Sequence, residues 1–449
     1  MENTRELAVN MLLEIAEQNK YSHLVIRNVL DKYNYMDGRD KAFLKRITEG
    51  TLERKIEIDY VLNQFSKVSV SKMKPFIRNL LRVSVYQLLF MDSVPERAVC
   101  NEAVKLAGKR GFKNLQGFVN GVLRNIARKK EEISWPEEER NTAGYLSVKY
   151  SMPEWLVEKF LSERGALQTK NMLESFLEAS PVTVRLKETL KEEDREVFLN
   201  EMKKSGVRVK KHPYLPYAFE ILNAEGISAL PGFTEGLFMV QDVSSMLVCE
   251  AADIKKGDRV IDVCASPGGK ALHAAEKLQG TGFVSARDLT EYKAEMIRDN
   301  IRRMNVKNVE AFVSDARQLR EEDVETADVL LCDLPCSGLG IIGKKTDIKY
   351  HVSEEGLKQL KELQREILSV VWQYVKKGGV LIYSTCTVNP DENEENVKWF
   401  TENYPFQTEN LSPFLPECLK EEGKKGMLQL LPGIHETDGF FLARLRREE

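Results

Sequence analysis

Histidine is scarce in this chain of 449 residues, and the cysteines come without partners. The five histidines (His23, His212, His273, His351, His435) are scattered, and no Cys-x2-Cys or His-x3-His pair occurs, so a zinc site lacks its ligand spacing and no metal is expected. Seven cysteines (Cys100, Cys249, Cys264, Cys332, Cys336, Cys386, Cys418) are an odd number over a long chain, unlike a secreted disulfide framework. Reduced thiols and a cytoplasmic location are the expectation. The first residues, Met1-Glu-Asn-Thr-Arg-Glu6, lack the basic-then-apolar build of a signal peptide, and the most apolar stretch, Asn79 to Phe90, is short and broken by Arg82, so no membrane span is expected. No sign of charge dominates either: 66 Lys and Arg against 69 Asp and Glu give −3, an average that argues against a strongly anionic partner. With 42% apolar and 30% charged residues the chain is neither collagen-like nor disordered. At roughly 150 residues per domain it should hold about three domains.

That average conceals a gradient. Residues 1–130 carry +10 and residues 131–449 carry −13, and residues 61–130 hold 14 Lys and Arg against three acids. The basic part reads as helix after helix. In its last repeat Leu115, Phe118, Val119, Val122, Leu123 and Ile126 form one stripe of a 3.6-residue period, with Lys113, Arg124 and Arg128 opposite. So lopsided a surface points to nucleic acid as the partner.

Residues 131–144, with Glu131-Glu-Ile-Ser-Trp-Pro-Glu-Glu-Glu-Arg140, read as an acidic linker. Residues 145–235 read as a small α+β module, with helical runs over 153–178 and 190–205 and short strands at Val182-Thr-Val-Arg-Leu186 and after Gly206. From residue 236 to the end, strand-like runs (Arg259–Cys264, Gly282–Arg287, Val309–Val313, Asp328–Cys332, Gly379–Ser384, Gly439–Leu445) alternate with helical ones, which predicts a mostly parallel sheet covered by helices on both faces. Ligands then belong at the carboxyl ends of the strands.

Three of those ends are unusual. After the first comes Asp262-Val-Cys-Ala-Ser-Pro-Gly-Gly-Lys270, a glycine turn opening a helix. It fits neither the P-loop, which needs Gly where Cys264 stands, nor the dinucleotide fingerprint, because only Gly268-Gly269 is present. Asp288, 19 residues after Gly269, can accept from ribose hydroxyls, and Asp315 can take an adenine amine. An adenosine without phosphate suits the loop, and S-adenosylmethionine is the abundant cofactor of that kind. The other two ends are Asp333-Leu-Pro-Cys-Ser-Gly338 and Ser384-Thr-Cys-Thr387, two cysteines wrapped in small polar residues on neighbouring strands. Cys332, inside Val329-Leu-Leu-Cys332, reads as core. A thiolate beside a methyl donor suits carbon 5 of a pyrimidine: addition at carbon 6 makes an enamine whose carbon 5 can attack a sulfonium methyl. Asp333, protonated or bridged, could assist at ring nitrogen 3. The residues alone do not rank the two cysteines, and an RNA-binding assembly factor that has lost the chemistry is the competing reading.

Cys264-Ala-Ser-Pro-Gly-Gly-Lys270, Asp333-Leu-Pro-Cys-Ser-Gly338 and Ser384-Thr-Cys-Thr387, together with Gln241-Asp-Val-Ser-Ser245 and Asp438-Gly-Phe-Phe-Leu-Ala443, resemble the RNA cytosine-C5 methyltransferases of the Sun/Fmu (RsmB) type. Residues 1–130 resemble the NusB-type helical RNA-binding domain that such proteins carry. The resemblance implies an all-α NusB-like domain, a small RRM-like α+β module and a Rossmann-like class I methyltransferase domain. It implies 16S ribosomal RNA as substrate and S-adenosylmethionine as donor; transfer RNA is the alternative substrate, and a monomer is expected. It further implies Cys386 as nucleophile on carbon 6, Cys336 as the thiol that assists release, and cofactor contacts at Cys264, Ala265, Ser266, Pro267, Gly268, Gly269, Lys270, Asp288, Asp315 and Asp333. Lys113, Arg124, Arg128 and Lys349 are the expected RNA contacts. Leu334 and Ser266 stand where Ala is usual in the family, and Thr346 stands where Pro is common.

Overall fold

The structure is a computed structural model that describes residues 3–178, 180–223 and 226–448. Two compact units emerge: Met1–Glu178 with Ile342–His351, and Ala179–Ile341 with Val352–Glu449.

In the first unit α1 (Thr4–Glu17), α2 (Ser22–Lys32), α3 (Gly38–Glu53), α4 (Lys55–Phe65), α5 (Pro75–Phe90), α6 (Glu96–Lys109) and α7 (Gln116–Lys129) enclose one apolar core. α5 is buried along most of its length, and Arg82 is tolerated there because Nε and Nη2 each donate to the Asp59 carboxylate at 2.7 Å. A buried guanidinium without that partner would cost roughly 3–5 kcal/mol. α7 buries Val119, Val122, Leu123 and Ile126, with Leu115 and Phe118 packed beside them, so Lys113, Arg124 and Arg128 are left exposed as the periodicity predicts. α8 (Thr142–Lys149) and α9 (Glu154–Ser175), which the sequence places with the α+β module, group with this unit instead.

The second unit begins with a four-stranded antiparallel sheet of order β2-β3-β1-β4. Its elements are β1 (Val182–Leu186), α10 (Glu192–Lys204), β2 (Arg208–Lys211), β3 (Ala218–Leu222) and β4 (Phe238–Val240). β4 carries this sheet past residue 235, and a 3-10 turn at Ile227–Ala229 stands where a β-α-β-β-α-β module has its second helix.

Next come α11 (Val243–Ala252), β5 (Arg259–Asp262), α12 (Gly269–Lys277), β6 (Phe283–Asp288), α13 (Glu291–Met304), β7 (Val309–Val313) and β8 (Ala327–Asp333). After α14 (Ile348–His351), which lies in the first unit, follow α15 (Glu354–Val371), β9 (Val375–Thr385), α16 (Glu394–Asn403), β10 (Phe406–Thr408), β11 (Met427–Leu430) and β12 (Phe440–Arg447). These strands form a sheet of order β10-β12-β9-β8-β5-β6-β7, with β11 on β12. The strands from β9 to β7 are mutually parallel, while β12 runs antiparallel to β9, β10 and β11. Val260 and Leu331 point to the face covered by α11, α12 and α13; their neighbours Ile261, Leu330 and Cys332 point to the face under α15 and α16. Two covered faces explain why these strands read as unbroken apolar runs.

The small sheet is joined to the large one by buried charge. Arg185 of β1, fully buried, donates from Nε to Gln241 at 2.9 Å and from Nη1 to Glu276 of α12.

The segment Ile342–His351 is held in the first unit by polar bonds. The Ser22 amide donates to Asp347 at 2.6 Å, Tyr350 Oη to the Leu52 carbonyl at 2.9 Å, and Lys349 Nζ to the Glu53 carbonyl at 2.8 Å. The expectation that Lys349 meets RNA is therefore corrected: its side chain is 2% exposed and spent on a helix C-terminus. Burial pulls its pKa down to about 7, against the opposing charge of Glu53. Between that value and the unfolded one the unfolded chain binds the extra proton, so the first unit should gain stability with rising pH, by at most about 1.4 kcal/mol per unit. Lys349→Met should remove that slope, read as the pH dependence of the unfolding midpoint.

Candidate active site

The parallel register sets Asp333 of β8 opposite Ser384 of β9. Each strand then ends in a loop with a thiol a few residues on, and the loops are stitched together: the Leu334 amide donates to the Ser384 carbonyl and the Gly340 amide to the Cys386 carbonyl, both at 3.1 Å. The result brings the Cys336 and Cys386 Sγ atoms to 3.2 Å. Cys336 is held well above the ordinary thiol pKa, first by its hydrogen bond to Cys386 and then by burial and the Cys386 and Glu392 charges. Cys332 is fully buried in the sheet core.

The loop after β5 lies beside them. Gly268 adopts φ 105°, a left-handed conformation that favours glycine, and α12 starts at the next residue. The Ala265 amide donates to the Arg287 carbonyl at 2.8 Å and the Ser266 amide to Asp288 Oδ2 at 3.0 Å, so the loop is pinned to β6. Asn300 fastens the Pro267 carbonyl at 2.9 Å. Burial, and then the Asp288 charge, raise the Cys264 thiol far above its ordinary value, which leaves it inert. Lys270 Nζ donates to Asp333 Oδ2 at 2.7 Å, and Ser384 Oγ to Asp333 Oδ1 at 2.8 Å. Burial works against the Lys270 ammonium, but Asp333 and Asp262 outweigh it and raise its pKa. Asp315 stands at the end of β7, its pKa lowered by hydrogen bonds from Arg317.

Near Asp288 and Asp315 in the chain, the apolar side chains Leu289, Tyr292 and Val313 are 53%, 64% and 44% exposed. The sequence reading missed these three; their only signal is apolar character in the loops beside Asp288 and Asp315. Asp288, paired with Lys293 at 2.9 Å, and Asp315, paired with Arg317, offer acceptors for hydroxyls and an amine, a set that fits an adenosine. The motif at Gln241–Ser245 also joins the site. Gln241 packs 3.7 Å from where a Gly269 Cβ would stand, and Asp242 caps α11 while accepting from the Asp438 amide at 3.3 Å. A Cβ at Gly340 would lie 1.9 Å from the Gly439 carbonyl oxygen, so both motif ends require glycine for close approach.

Elsewhere in this unit Glu188, Glu250 and His273 bring ligand atoms within 4.8 Å of one another, yet Lys277 already bridges the two carboxylates. It is an ion-pair cluster. Two cationic grooves are also present. One, in the first unit, is lined by Glu96, Arg97, Cys100, Arg124, Ala127 and Arg128. The other, on the small sheet module, includes Arg195, Lys203, Arg208 and Lys211, with Glu192 as its one acid. Among the described residues no helix is long and apolar enough to cross a membrane.

Comparison with known proteins agrees with this architecture. Residues 250–446 match the family model described as 16S rRNA methyltransferase RsmB/F, and residues 2–128 match that of the NusB family. A probable ribosomal RNA small subunit methyltransferase B of Bacillus subtilis (strain 168) is 34% identical, with 99% of each chain covered. The chain belongs to the RsmB/F family of ribosomal RNA methyltransferases. A Synechocystis relative of the same description is 30% identical over the whole of both chains. The crystal structure of PH0851 superposes with a TM-score of 0.81 at 28% identity, covering 100% of this chain and 99% of that one. NSun6 from Pyrococcus horikoshii with SFG shares the fold over 66% of this chain, at a TM-score of 0.59 and 22% identity. The methyl donor of the family, and of this chain, is S-adenosylmethionine.

One buried group here reports on pH. Asp262 is fully buried, its Oδ2 has no hydrogen-bond partner among the described residues, and burial followed by the Asp333 charge lifts its pKa to about 7. From the ordinary carboxylate value up to that point the folded chain holds a proton the unfolded chain has released, so stability falls as pH rises through the window. Asp262→Asn should flatten the fall and add about 1–3 kcal/mol at about pH 8, with little change at about pH 4, in thermal unfolding.

Proposed function

We propose that this methyltransferase transfers the methyl group to carbon 5 of a cytosine in 16S ribosomal RNA, through a covalent adduct between Cys386 and carbon 6. The observation that carries the reading is the pair of thiols 3.2 Å apart, beside the Lys270–Asp333 pair and the glycine turn. The bound donor supplies an electrophilic sulfonium methyl. Cys386, as thiolate, adds to carbon 6, and the electron pair passes to carbon 5. The Lys270–Asp333 pair holds a proton at ring nitrogen 3 while that charge develops. Carbon 5 takes the methyl group as neutral S-adenosylhomocysteine is released; a base then takes the carbon-5 proton, the freed electron pair re-forms the carbon 5–carbon 6 double bond, and the carbon–sulfur bond breaks so that Cys386 leaves as thiolate, with the neighbouring Cys336 assisting release. Asp288 and Asp315 orient the adenosine.

RNA is held by the exposed cations Lys113, Arg124 and Arg128, to which the first groove adds Arg97, and by the basic groove of the small module. Phosphate contacts of this kind set affinity and position without reading sequence. The enzyme acts in the cytoplasm as a monomer without a metal.

Cys386→Ala should abolish transfer of tritium from labelled donor to unmodified small-subunit RNA, and Cys336→Ala should accumulate a protein–RNA complex that survives a denaturing gel. Full turnover by Cys386→Ala would assign the nucleophile elsewhere. Replacing Lys113, Arg124 and Arg128 by Ala should shallow the dependence of log affinity on log salt by about 0.7–0.9 for each phosphate that is no longer neutralised. Donor affinity should stay unchanged; an unchanged salt slope would give that face to a protein partner.

A further inference from the structure

Beneath the two thiols lies a carboxylate that the chemistry above does not use. Glu392 follows β9 in Asn389-Pro390-Asp391-Glu392 and is fully buried. Its Oε1 accepts from Ser337 Oγ and from Asn389 Nδ2 at 3.0 Å; its Oε2 accepts from the Ser337 amide at 2.9 Å and from Gln364 Nε2 at 3.0 Å. Ser337 is the residue after Cys336, and its Oγ also lies 2.7 Å from the Oγ1 of Thr387, the residue after Cys386. Gln364 adds a bond of 2.9 Å to the Pro335 carbonyl, on the other side of Cys336. All four donors to Glu392 are neutral. A carboxylate buried without a cation is costly unless its lone pairs are filled, and here each oxygen takes two bonds.

We propose that Glu392 is a positioning residue that fixes the separation of Cys336 and Cys386 by anchoring the residue after one thiol directly and the residue after the other through Ser337. The role rests on the reading of Cys386 as nucleophile and Cys336 as the releasing thiol, and it explains why an acceptor of four bonds is required. A glutamine amide would aim its own N–H groups at donors it must accept from, and an aspartate is one methylene short. Loosening the anchor separates the sulfurs while leaving the glycine turn, Asp288 and Lys270 in place.

Two readouts on the full chain test this. In steady-state transfer to small-subunit RNA, Glu392→Gln should lower kcat about 100-fold, the scale of a ~1 Å misplacement, with KM for S-adenosylmethionine within about threefold of wild type. The second readout needs no RNA. Diamide takes two electrons and two protons from the thiols as the Cys336–Cys386 disulfide forms; closure, followed by peptide mass mapping, should be at least about tenfold slower in Glu392→Gln because disulfide geometry is narrow. Should that variant not fold, Ser337→Ala, which removes the link between the loops without stranding the amide bond, should slow closure about threefold. Closure at the wild-type rate in the variant that folds overturns the proposal, as does a loss of kcat matched by an equal rise in KM for the donor. If closure slows as expected but Cys386→Ala keeps full activity, the anchoring stands and the reading of the nucleophile falls. If Cys386→Ala is dead and closure is unchanged, the anchoring alone falls.

Discussion

The Asp333 carboxylate is the point on which the candidate active site turns. One oxygen takes the ammonium of Lys270, the last residue of the glycine turn, and the other takes the hydroxyl of Ser384 on the adjacent strand. Three segments that are distant in sequence thus share one group, and the parallel pairing of β8 with β9 makes this possible by setting Asp333 and Ser384 side by side. Both thiol loops depart from that register, and neither cysteine could reach the other if the strands slipped by a residue.

Electrostatics in the site is arranged by burial as much as by pairing. Asp262, Asp288 and Asp333 end or flank β5, β6 and β8, and such a concentration of acid needs Lys270 to remain charged, which its raised pKa secures. Asp262 bears the cost, since burial and its acidic neighbour push it toward the neutral form. The thiols divide along the same line: Cys264 and Cys332 are desolvated and inert, whereas Cys336 shares a hydrogen bond with Cys386.

Much of this was legible in the sequence. The α7 stripe, the parallel core strands and the three strand-end loops are local signals, set by period, by apolar runs and by glycines and small polar residues after strands. What escaped depends on groups far apart in the chain. β3 and β4 are short strands that only the small sheet makes regular. Lys349 looked like a surface cation because nothing local says that its ammonium ends on the Glu53 carbonyl. Glu392 sits in a polar turn, Asn389-Pro390-Asp391, whose composition reads as an ordinary loop, and its importance comes from Ser337 and Gln364, which reach it from other segments. α8 and α9 join the helical unit despite the acidic, proline-containing run that precedes them, because a change of composition marks a change of surface and not of core.

The return of Ile342–His351 to the first unit has a consequence for biosynthesis. The helical unit is contiguous up to Glu178, yet Asp347, Lys349 and Tyr350, which bind the Ser22 amide and the Glu53 and Leu52 carbonyls, are translated only after β8 and Cys336. On the ribosome the N-terminal helices therefore assemble with those groups facing water, and the unit is completed late, by a piece of chain emerging from the middle of the catalytic domain.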